Sequence, residues 1–272
     1  MDLELLRRLD AYLDAAPRSS SRMEAIGPFT VFVNHRGGWP YYARPTPGAD
    51  RFDVADVEEV RERQRELLVP EAFEWVEELV PTLGELTATS GLEVVRHPLM
   101  HLAPEDFRPV PAPNGVRIRI VSSEDDLATI DAIAHVSFAN PGTDVGSVDD
   151  AALAEVVAGP EPWPLAFIRD RILRGHTVMA VAELEGRPAS VGSHNPVGDA
   201  TEIVGVGTLP AFRRRGIGAA VTSILVEDAL GRGISVVLLS AGDDAVARVY
   251  ARLGFRVVGT AGAASAPGMS AP

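Results

Sequence analysis

The sequence predicts mixed α and β structure, with a smaller α+β domain followed by a larger domain in which helices flank a mixed sheet. Between residues 115 and 262, apolar periodicity predicts strand, helix, helix, three strands, helix, strand, helix and strand, in that order. Four prolines within residues 103–114 predict a stiff, extended connector. We therefore expect one domain over 1–110, a second over 115–262 and a flexible tail over 263–272.

The N-terminal domain shows its own alternation of helical and extended patterns. Leucines at helical spacing predict a first helix that starts near Leu3. The apolar run 27–33 predicts a strand, and the glycine-rich turn at 37–40 favours a hairpin partner at 41–44. The remaining predicted elements are helices at 54–68 and 71–86 and strands at 91–95 and 98–102.

The C-terminal domain is predicted in more detail, because its strand and helix patterns are separated by glycine, proline and acidic residues. Predicted strands cover residues 116–121, 177–183, 187–191, 201–208, 234–239 and 255–260, and predicted helices cover residues 122–138, 149–157, 217–230 and 243–253.

Composition excludes several classes of protein. The net charge of −13 argues against binding to nucleic acid or to an anionic membrane. The absence of cysteine removes disulfides and thiolate metal sites, and no histidine pair has metal-binding spacing, so no metal is expected. No signal peptide or membrane-spanning run is recognisable, which favours a cytoplasmic enzyme; a homodimer stays open.

The most informative segment is Arg213-Arg-Arg-Gly-Ile-Gly218, directly after the apolar run 202–210. It predicts a strand, a tight turn and the start of a helix. A helix N-terminus presents unpaired N–H groups and a positive dipole end, glycines admit a bulky anion, and arginines bind phosphate oxygens. The segment therefore predicts a pyrophosphate-binding turn.

Two common phosphate motifs fit less well. A Walker-type loop needs a lysine, and this chain has none. A Rossmann fingerprint needs a glycine or alanine where Val221 stands, and an acidic residue at the end of the next strand, where Ser240 stands.

The R-x-x-G-x-G pattern resembles the coenzyme A loop of the GNAT (GCN5-related) superfamily of N-acetyltransferases. The segment from Asp243 to Tyr250 and Gly254-Phe255 resembles the closing helix of that family, and the resemblance covers roughly 115–260. It implies the GNAT acyl-CoA N-acyltransferase fold, acetyl-CoA as co-substrate and direct attack by an amine. Residues 1–110 are either a degenerate copy of this fold or an unrelated α+β domain.

The resemblance also implies a set of cofactor-binding residues. A bulge is expected near Gly205 and Gly207, and close helix–strand packing is an alternative reason for Gly216 and Gly218. Asp243 stands where the family often has asparagine, so its contact differs. The implied cofactor-binding residues are Val206 and Thr208 for the pantetheine arm, Arg213, Arg214, Gly216, Gly218 and Ala219 for the pyrophosphate, and Asp243.

Catalytic residues are implied in the same way. An attacking amine must lose a proton, and Glu202 matches the glutamate base of one branch of the family. His194 and water are the alternative bases. Tyr250 matches the residue that protonates the leaving thiolate, and core packing is its alternative role.

The expected activity is transfer of an acetyl group to a primary amine of a small molecule or a protein. The acceptor would lie near Phe138, Trp163 and the loops at 139–148 and 160–165, where Asp144, Asp149 and Asp150 could attract a cation or form a solvated acidic loop. A non-catalytic acyl-CoA-binding regulator and a nucleotide-dependent oxidoreductase are the alternatives.

Overall fold

The structure, a computed structural model, describes residues 2–34, 42–159 and 164–268. The predicted turn at 37–40, Tyr41 and Trp163 lie outside these ranges. The helices are α1 (Leu3–Ala15), α2 (Val54–Glu66), α3 (Leu83–Thr89), α4 (Leu127–Ala139), α5 (Leu153–Ala158), α6 (Leu165–Leu173), α7 (Ile217–Gly231) and α8 (Asp244–Ala251). The strands are β1 (Ser21–Ile26), β2 (Phe29–Asn34), β3 (Arg44–Pro45), β4 (Ala72–Val76), β5 (Glu93–Leu102), β6 (Val116–Ile120), β7 (Val178–Leu184), β8 (Arg187–Val197), β9 (Ala200–Thr208), β10 (Val236–Ser240) and β11 (Arg256–Ser265).

The chain forms two compact units. The first contains residues 1–100, 240–243 and 257–272, and the second contains residues 101–239 and 244–256. The sequence prediction placed residues up to 262 in the second domain. The residues after 256 belong to the first unit because β11 pairs there with β4, a partner almost two hundred positions earlier in the chain.

In the first unit, β1, β2 and β3 form a small antiparallel sheet, and β4 pairs antiparallel with β11. Phe29 and Phe73 pack edge to face at 5.4 Å between ring centroids, and both are fully buried. Val57 and Val60 of α2 cover this cluster, so the stripe predicted for 54–68 faces the core of the unit.

Three elements of the first unit differ from their predictions. The predicted helix 71–86 is wrong: residues 72–76 form β4, and a helix begins only at Leu83. Bulky apolar residues within 72–76 fit a strand buried on both faces, which over a short window resembles helical spacing. The two strands predicted at 91–95 and 98–102 are one continuous β5. Residues 263–265, predicted as tail, end β11.

In the second unit, β6, β7, β8 and β9 pair antiparallel in chain order, and β10 pairs parallel with β9. Helix α7 connects β9 to β10, as parallel neighbours require. An added Cβ on Gly192 would touch Leu225 of α7, whereas one on Gly207 would lie 2.7 Å from Ser137 of α4. The two helices therefore cover opposite faces of a mixed sheet, which confirms the predicted fold class.

Candidate active site

Strand β9 carries a bulge near its C-terminal end. Gly205 and Val206 lie opposite a single residue of β8, Gly192. The φ angle of Gly205 is +62°, in the left-handed region that glycine adopts without strain. The predicted bulge is confirmed, and Gly205 provides the left-handed backbone conformation that the bulge contains.

The bulge changes which residues of β9 face α7. Before it, Thr201 faces the helix, because its hydroxyl and Asp228 of α7 both hydrogen-bond the ring of His194. After it, Val206 and Thr208 face the helix, because both lie within 4 Å of the position that a Cβ on Gly218 would take. Without the extra residue, Val206 and Thr208 would point to the other face of the sheet.

Strands β9 and β10 part just before the bulge. Their parallel register ends at Leu238 opposite Glu202, although β9 continues to Thr208. In the part of the chain that the structure describes, no strand pairs with this edge of β9 over residues 203–208. Its N–H and C=O groups can therefore pair with an extended, amide-containing ligand.

The predicted anion loop lies at the mouth of this opening. Gly216 is the N-cap residue of α7 with φ +79°, and no side chain caps the helix. Residues 217–219 are in the first turn, where N–H groups have no intrahelical acceptor. The helix therefore begins at the turn that the sequence predicted, and its free N–H groups and dipole are the features that favour an anion.

Gly218 also serves packing. An added Cβ there would lie 3.2 Å from Thr208 Oγ1, which is tighter than ordinary contact. The packing role considered for Gly218 is therefore present, because α7 approaches β9 closely. Gly218 also lies in the first turn of α7, where a cofactor-binding residue is expected.

The three arginines of the loop have different surroundings. Arg214 and Arg215 are exposed, and neither forms an ion pair or a hydrogen bond with the described part of the chain. Arg214 holds the left-handed region at φ +62°, which is unusual for a residue with a side chain. Arg213 is different, because its guanidinium donates to the carbonyls of Thr208 (3.0 Å), Ser137 (3.1 Å) and Asn140.

Tyr250 lies in α8 and packs edge to face on Phe255, with 5.9 Å between the ring centroids. Burial raises the pKa of its phenol to about 12, so the hydroxyl is protonated at neutral pH. The hydroxyl makes no hydrogen bond to any residue that the structure describes. A neutral, unshared O–H group can act as a proton donor.

The Gly254-Phe255 ending has a structural cause. Gly254 has φ +105°, and a Cβ there would lie 2.0 Å from the carbonyl oxygen of Asp106. The backbone N–H of Arg108 donates to the carbonyl of Leu253 in the same region. Only glycine fits, so this part of the motif fixes the chain after the tyrosine-bearing helix.

Glu202 is half-buried and stands where β9 and β10 separate, opposite Asn195 of β8. The Asn195 amide oxygen accepts a hydrogen bond of 2.6 Å from the hydroxyl of Thr177. The Glu202 carboxylate therefore belongs to the residue at which β9 and β10 separate, next to the unpaired edge of β9. Asn195 and Thr177 were not identified from the sequence, because register alone brings them there.

His194, the alternative base, is fully buried. Its Nδ1 lies 2.9 Å from Thr201 Oγ1 and its Nε2 lies 3.0 Å from Asp228. A neutral ring with the proton on Nε2 satisfies both bonds, and burial lowers the pKa of the ring. Both nitrogens are thus engaged inside the fold.

The other predicted cofactor-binding residues lie in three places. Val206 and Thr208 follow the bulge, and the Thr208 hydroxyl is 2.9 Å from that of Ser190. Ala219 is half-buried in the first turn of α7, and Asp243 is exposed immediately before α8.

The 139–148 loop lines a pocket of about 410 Å³ that also includes Pro210 and Arg213. Asp149 and Asp150 are both ion-paired with Arg187, which partly neutralises the charge that they could offer to a cationic acceptor. Asp144 and Phe138 are exposed at this end of α4. Within the described ranges, no group of three or more acidic or histidine side chains could hold a metal ion, and no helix is long and apolar enough to cross a bilayer.

Comparisons with known proteins agree with this geometry. Residues 149–255 match the acetyltransferase (GNAT) family model. A GCN5-related N-acetyltransferase from Kribbella flavida is 25% identical with a TM-score of 0.74, covering 97% of this chain and 96% of its own. Among curated proteins, none matches this sequence.

Two further solved structures share the fold over nearly the whole chain. A GNAT-family acetyltransferase from Novosphingobium aromaticivorans has 18% identity, a TM-score of 0.55 and 96% coverage of both chains. A tandem GNAT protein from the clavulanic acid biosynthesis pathway has 15% identity and a TM-score of 0.57, covering 99% of this chain and 97% of its own. The stretch that matches the GNAT acetyltransferase family model, residues 149–255, includes the bulge, the anion loop and Tyr250.

Proposed function

We propose that the protein is an acetyl-CoA-dependent N-acetyltransferase that acetylates a primary amine by direct attack in a ternary complex. The observation that carries the proposal is the separation of β9 from β10, with the N-terminus of α7 directly beyond it. This arrangement offers free strand amides and a helix N-terminus along one path, which suits a ligand with an amide-containing arm and a diphosphate.

The binding roles follow from this path. The open edge of β9, with Val206 and Thr208, would pair with the pantetheine arm. The first N–H groups of α7, at Gly216, Gly218 and Ala219, would bind the diphosphate, and exposed Arg214 and Arg215 would add charge-assisted bonds. Asp243 precedes α8 and stays a proposed cofactor contact.

The proposed chemistry is a balanced acyl transfer. Glu202 removes a proton from the acceptor ammonium, directly or through water, and the amine lone pair then forms the new C–N bond at the thioester carbon. As the C–S bond breaks, Tyr250 donates its proton to the sulfur. The attacking nitrogen loses its second proton to the tyrosine oxygen, directly or through water, and Glu202 releases the first proton to solvent, which gives the amide and the free thiol. The raised pKa of the phenol keeps that proton available at neutral pH.

The acceptor is proposed as a small-molecule or protein amine that enters beside the 139–148 loop. Exposed Asp144 in the pocket wall, which also interacts electrostatically with Arg213, is the carboxylate that could meet a cationic acceptor. A cytoplasmic location and a homodimer remain predictions.

The first experiment compares acetyl-CoA, pantetheine without phosphates and NAD in titration calorimetry, followed by a thiol-release assay with a panel of primary amines. We expect acetyl-CoA to bind at least about tenfold more tightly than pantetheine, because the diphosphate contributes charge-assisted bonds. Equal affinity for the two, or preference for NAD, would contradict the assignment.

Glu202→Gln and Tyr250→Phe then test the chemistry. Both variants should bind acetyl-CoA as the wild type does and lose turnover. Tight binding with no turnover on any amine would instead indicate the non-catalytic regulator.

A further inference from the structure

The side chain of Arg213 is surrounded by backbone carbonyl oxygens rather than by open solvent. Its Nε donates to Thr208 O at 3.0 Å, and its Nη2 donates to Ser137 O at 3.1 Å and to Asn140 O. Its Nη1 makes a longer contact of 3.5 Å with Asp144 O. The N–H groups of Nε and Nη2 are all used by the protein itself.

The acceptors at one end belong to the last turn of α4 and the loop that follows. Ser137 lies in this turn and its carbonyl also accepts from the N–H of the C-cap residue Asn140 at 3.3 Å, whereas the Asn140 carbonyl lies beyond the last residue of the helix. A guanidinium satisfies them and also complements the negative end of the helix dipole. Arg213 therefore fixes the point where the chain leaves α4 and enters the 139–148 loop.

The acceptor at the other end is the last residue of β9. The Thr208 hydroxyl is bound to Ser190 Oγ at 2.9 Å, and its Oγ1 lies against the start of α7 at Gly218. Arg213 thus joins the strand beside the proposed cofactor to the loop that forms the pocket. A planar guanidinium can bridge three carbonyls at once, whereas an ammonium is a single point of charge.

We propose that Arg213 is a positioning residue that couples the cofactor loop to the 139–148 loop, rather than a phosphate ligand. The coupling has a direction: ordering residues 213–219 around a diphosphate also holds the guanidinium, and hence the pocket wall, in place. Binding of acetyl-CoA then favours binding of the acceptor. This inference rests on the proposed function.

Hydrogen exchange of the full-length protein, with and without acetyl-CoA, tests the coupling. In the wild type, acetyl-CoA should slow exchange both in residues 216–219 and in residues 141–148. In Arg213→Ala, exchange of 141–148 without ligand should rise about tenfold or more, because several bonds from a charged donor are lost. Acetyl-CoA should still protect 216–219 in this variant but no longer protect 141–148.

Two further variants complete the design. Arg213→Lys keeps the charge and should retain the fold, with protection of 141–148 reduced. Arg215→Ala is the matched control: acetyl-CoA should bind more weakly, yet its binding should still protect 141–148.

Each remaining outcome decides a separate point. If acetyl-CoA fails to protect 216–219 in the wild type, the proposed cofactor site is wrong. If it protects 216–219 but leaves 141–148 unchanged, the coupling is wrong. If Arg213→Ala weakens acetyl-CoA binding as much as Arg215→Ala and leaves 141–148 unchanged, Arg213 is a phosphate ligand.

Discussion

The two units contain the same succession of strand, loop, helix and strand, with opposite outcomes. In the second unit, β9 and β10 part, and the 15-residue α7 begins at glycine with no side-chain cap. In the first unit, β11 lies between β4 and β5, and the 7-residue α3 follows a loop that contains Glu77 and Glu78. Within the described ranges, the second unit leaves the edge of β9 unpaired beside the N-terminus of α7, whereas in the first unit β11 occupies the space between β4 and β5.

The loop before α3 in the first unit carries two carboxylates, and both are engaged by the protein itself. Glu77 accepts bonds from Trp75 Nε1 at 2.7 Å and from Arg96, and Glu78 accepts from the N–H of Thr260 at 3.0 Å. The loop before α3 thus contains two acids and no arginine, whereas the loop before α7 contains three arginines, and a carboxylate disfavours a nearby phosphate. The same order of strand, loop, helix and strand thus occurs in both units. We expect only the second unit to bind the cofactor, because its loop carries arginines and no strand of the described chain fills the space beside β9.

The largest expected effect comes from placing a side chain at Gly218, in the first turn of α7. Gly218→Glu should raise the dissociation constant for acetyl-CoA by about 100-fold or more, because it adds bulk against Thr208 and a negative charge at the helix N-terminus. Calorimetry measures the change, and circular dichroism checks the fold. Gly231→Glu, on the same helix with open space around it, is the control and should bind normally.

Removal of the phenol hydroxyl should have the next largest effect. Tyr250→Phe should lower kcat by about 100-fold, the lower end of general acid catalysis, with the affinity for acetyl-CoA unchanged. Because the pKa is raised to about 12, no alkaline loss of activity up to about pH 10 should depend on this residue. An unchanged kcat would leave Tyr250 with its packing role alone.

The strand that closes the first unit provides a stability test. A Cβ on Gly262 would lie 2.3 Å from the ring of Trp75, so Gly262→Ala should lower the free energy of unfolding by about 1–3 kcal/mol. Acetyl-CoA affinity should not change, since this unit is not expected to bind it. Denaturant unfolding gives the first quantity, and Gly231→Ala serves as the unstrained control. Loss of acetyl-CoA binding in Gly262→Ala would break the comparison.

The smallest effect concerns pH. Burial lowers the pKa of His194 from 6.5, so the unfolded state binds more protons than the folded state just below that pH. The stability contributed by the neutral ring is present above about pH 6.5 and is lost as the pH falls below it. His194→Gln should flatten this acid limb in urea unfolding curves, and an unchanged limb would contradict the assignment.

The sequence was sufficient for the parts of the site that are local. The turn into α7 was predicted because Gly216, Gly218 and three arginines form one continuous segment. The helix–strand order of residues 116–253 was also largely predicted, although α6 was missed. These features depend on neighbours within a few positions, which periodicity and turn residues report directly.

The parts that depend on distant contacts could not be predicted. Pairing of β11 with β4 joins residues 261–265 to 72–76, and a short buried strand such as 72–76 has no period that separates it from a helix. Two of the bonds of Arg213 go to backbone carbonyls more than seventy residues away, which any amino acid would offer. The R-x-x-G-x-G pattern singles out Arg213, but it does not report which acceptors the guanidinium meets.

Amide spectra recorded during a titration with acetyl-CoA test the difference between the two units most directly. The account predicts one bound molecule per chain, with the largest shifts at the amides of Ile217, Gly218 and Ala219 and none at residues 77–83. Two bound molecules, or shifts at residues 77–83 in place of those at the start of α7, would contradict it.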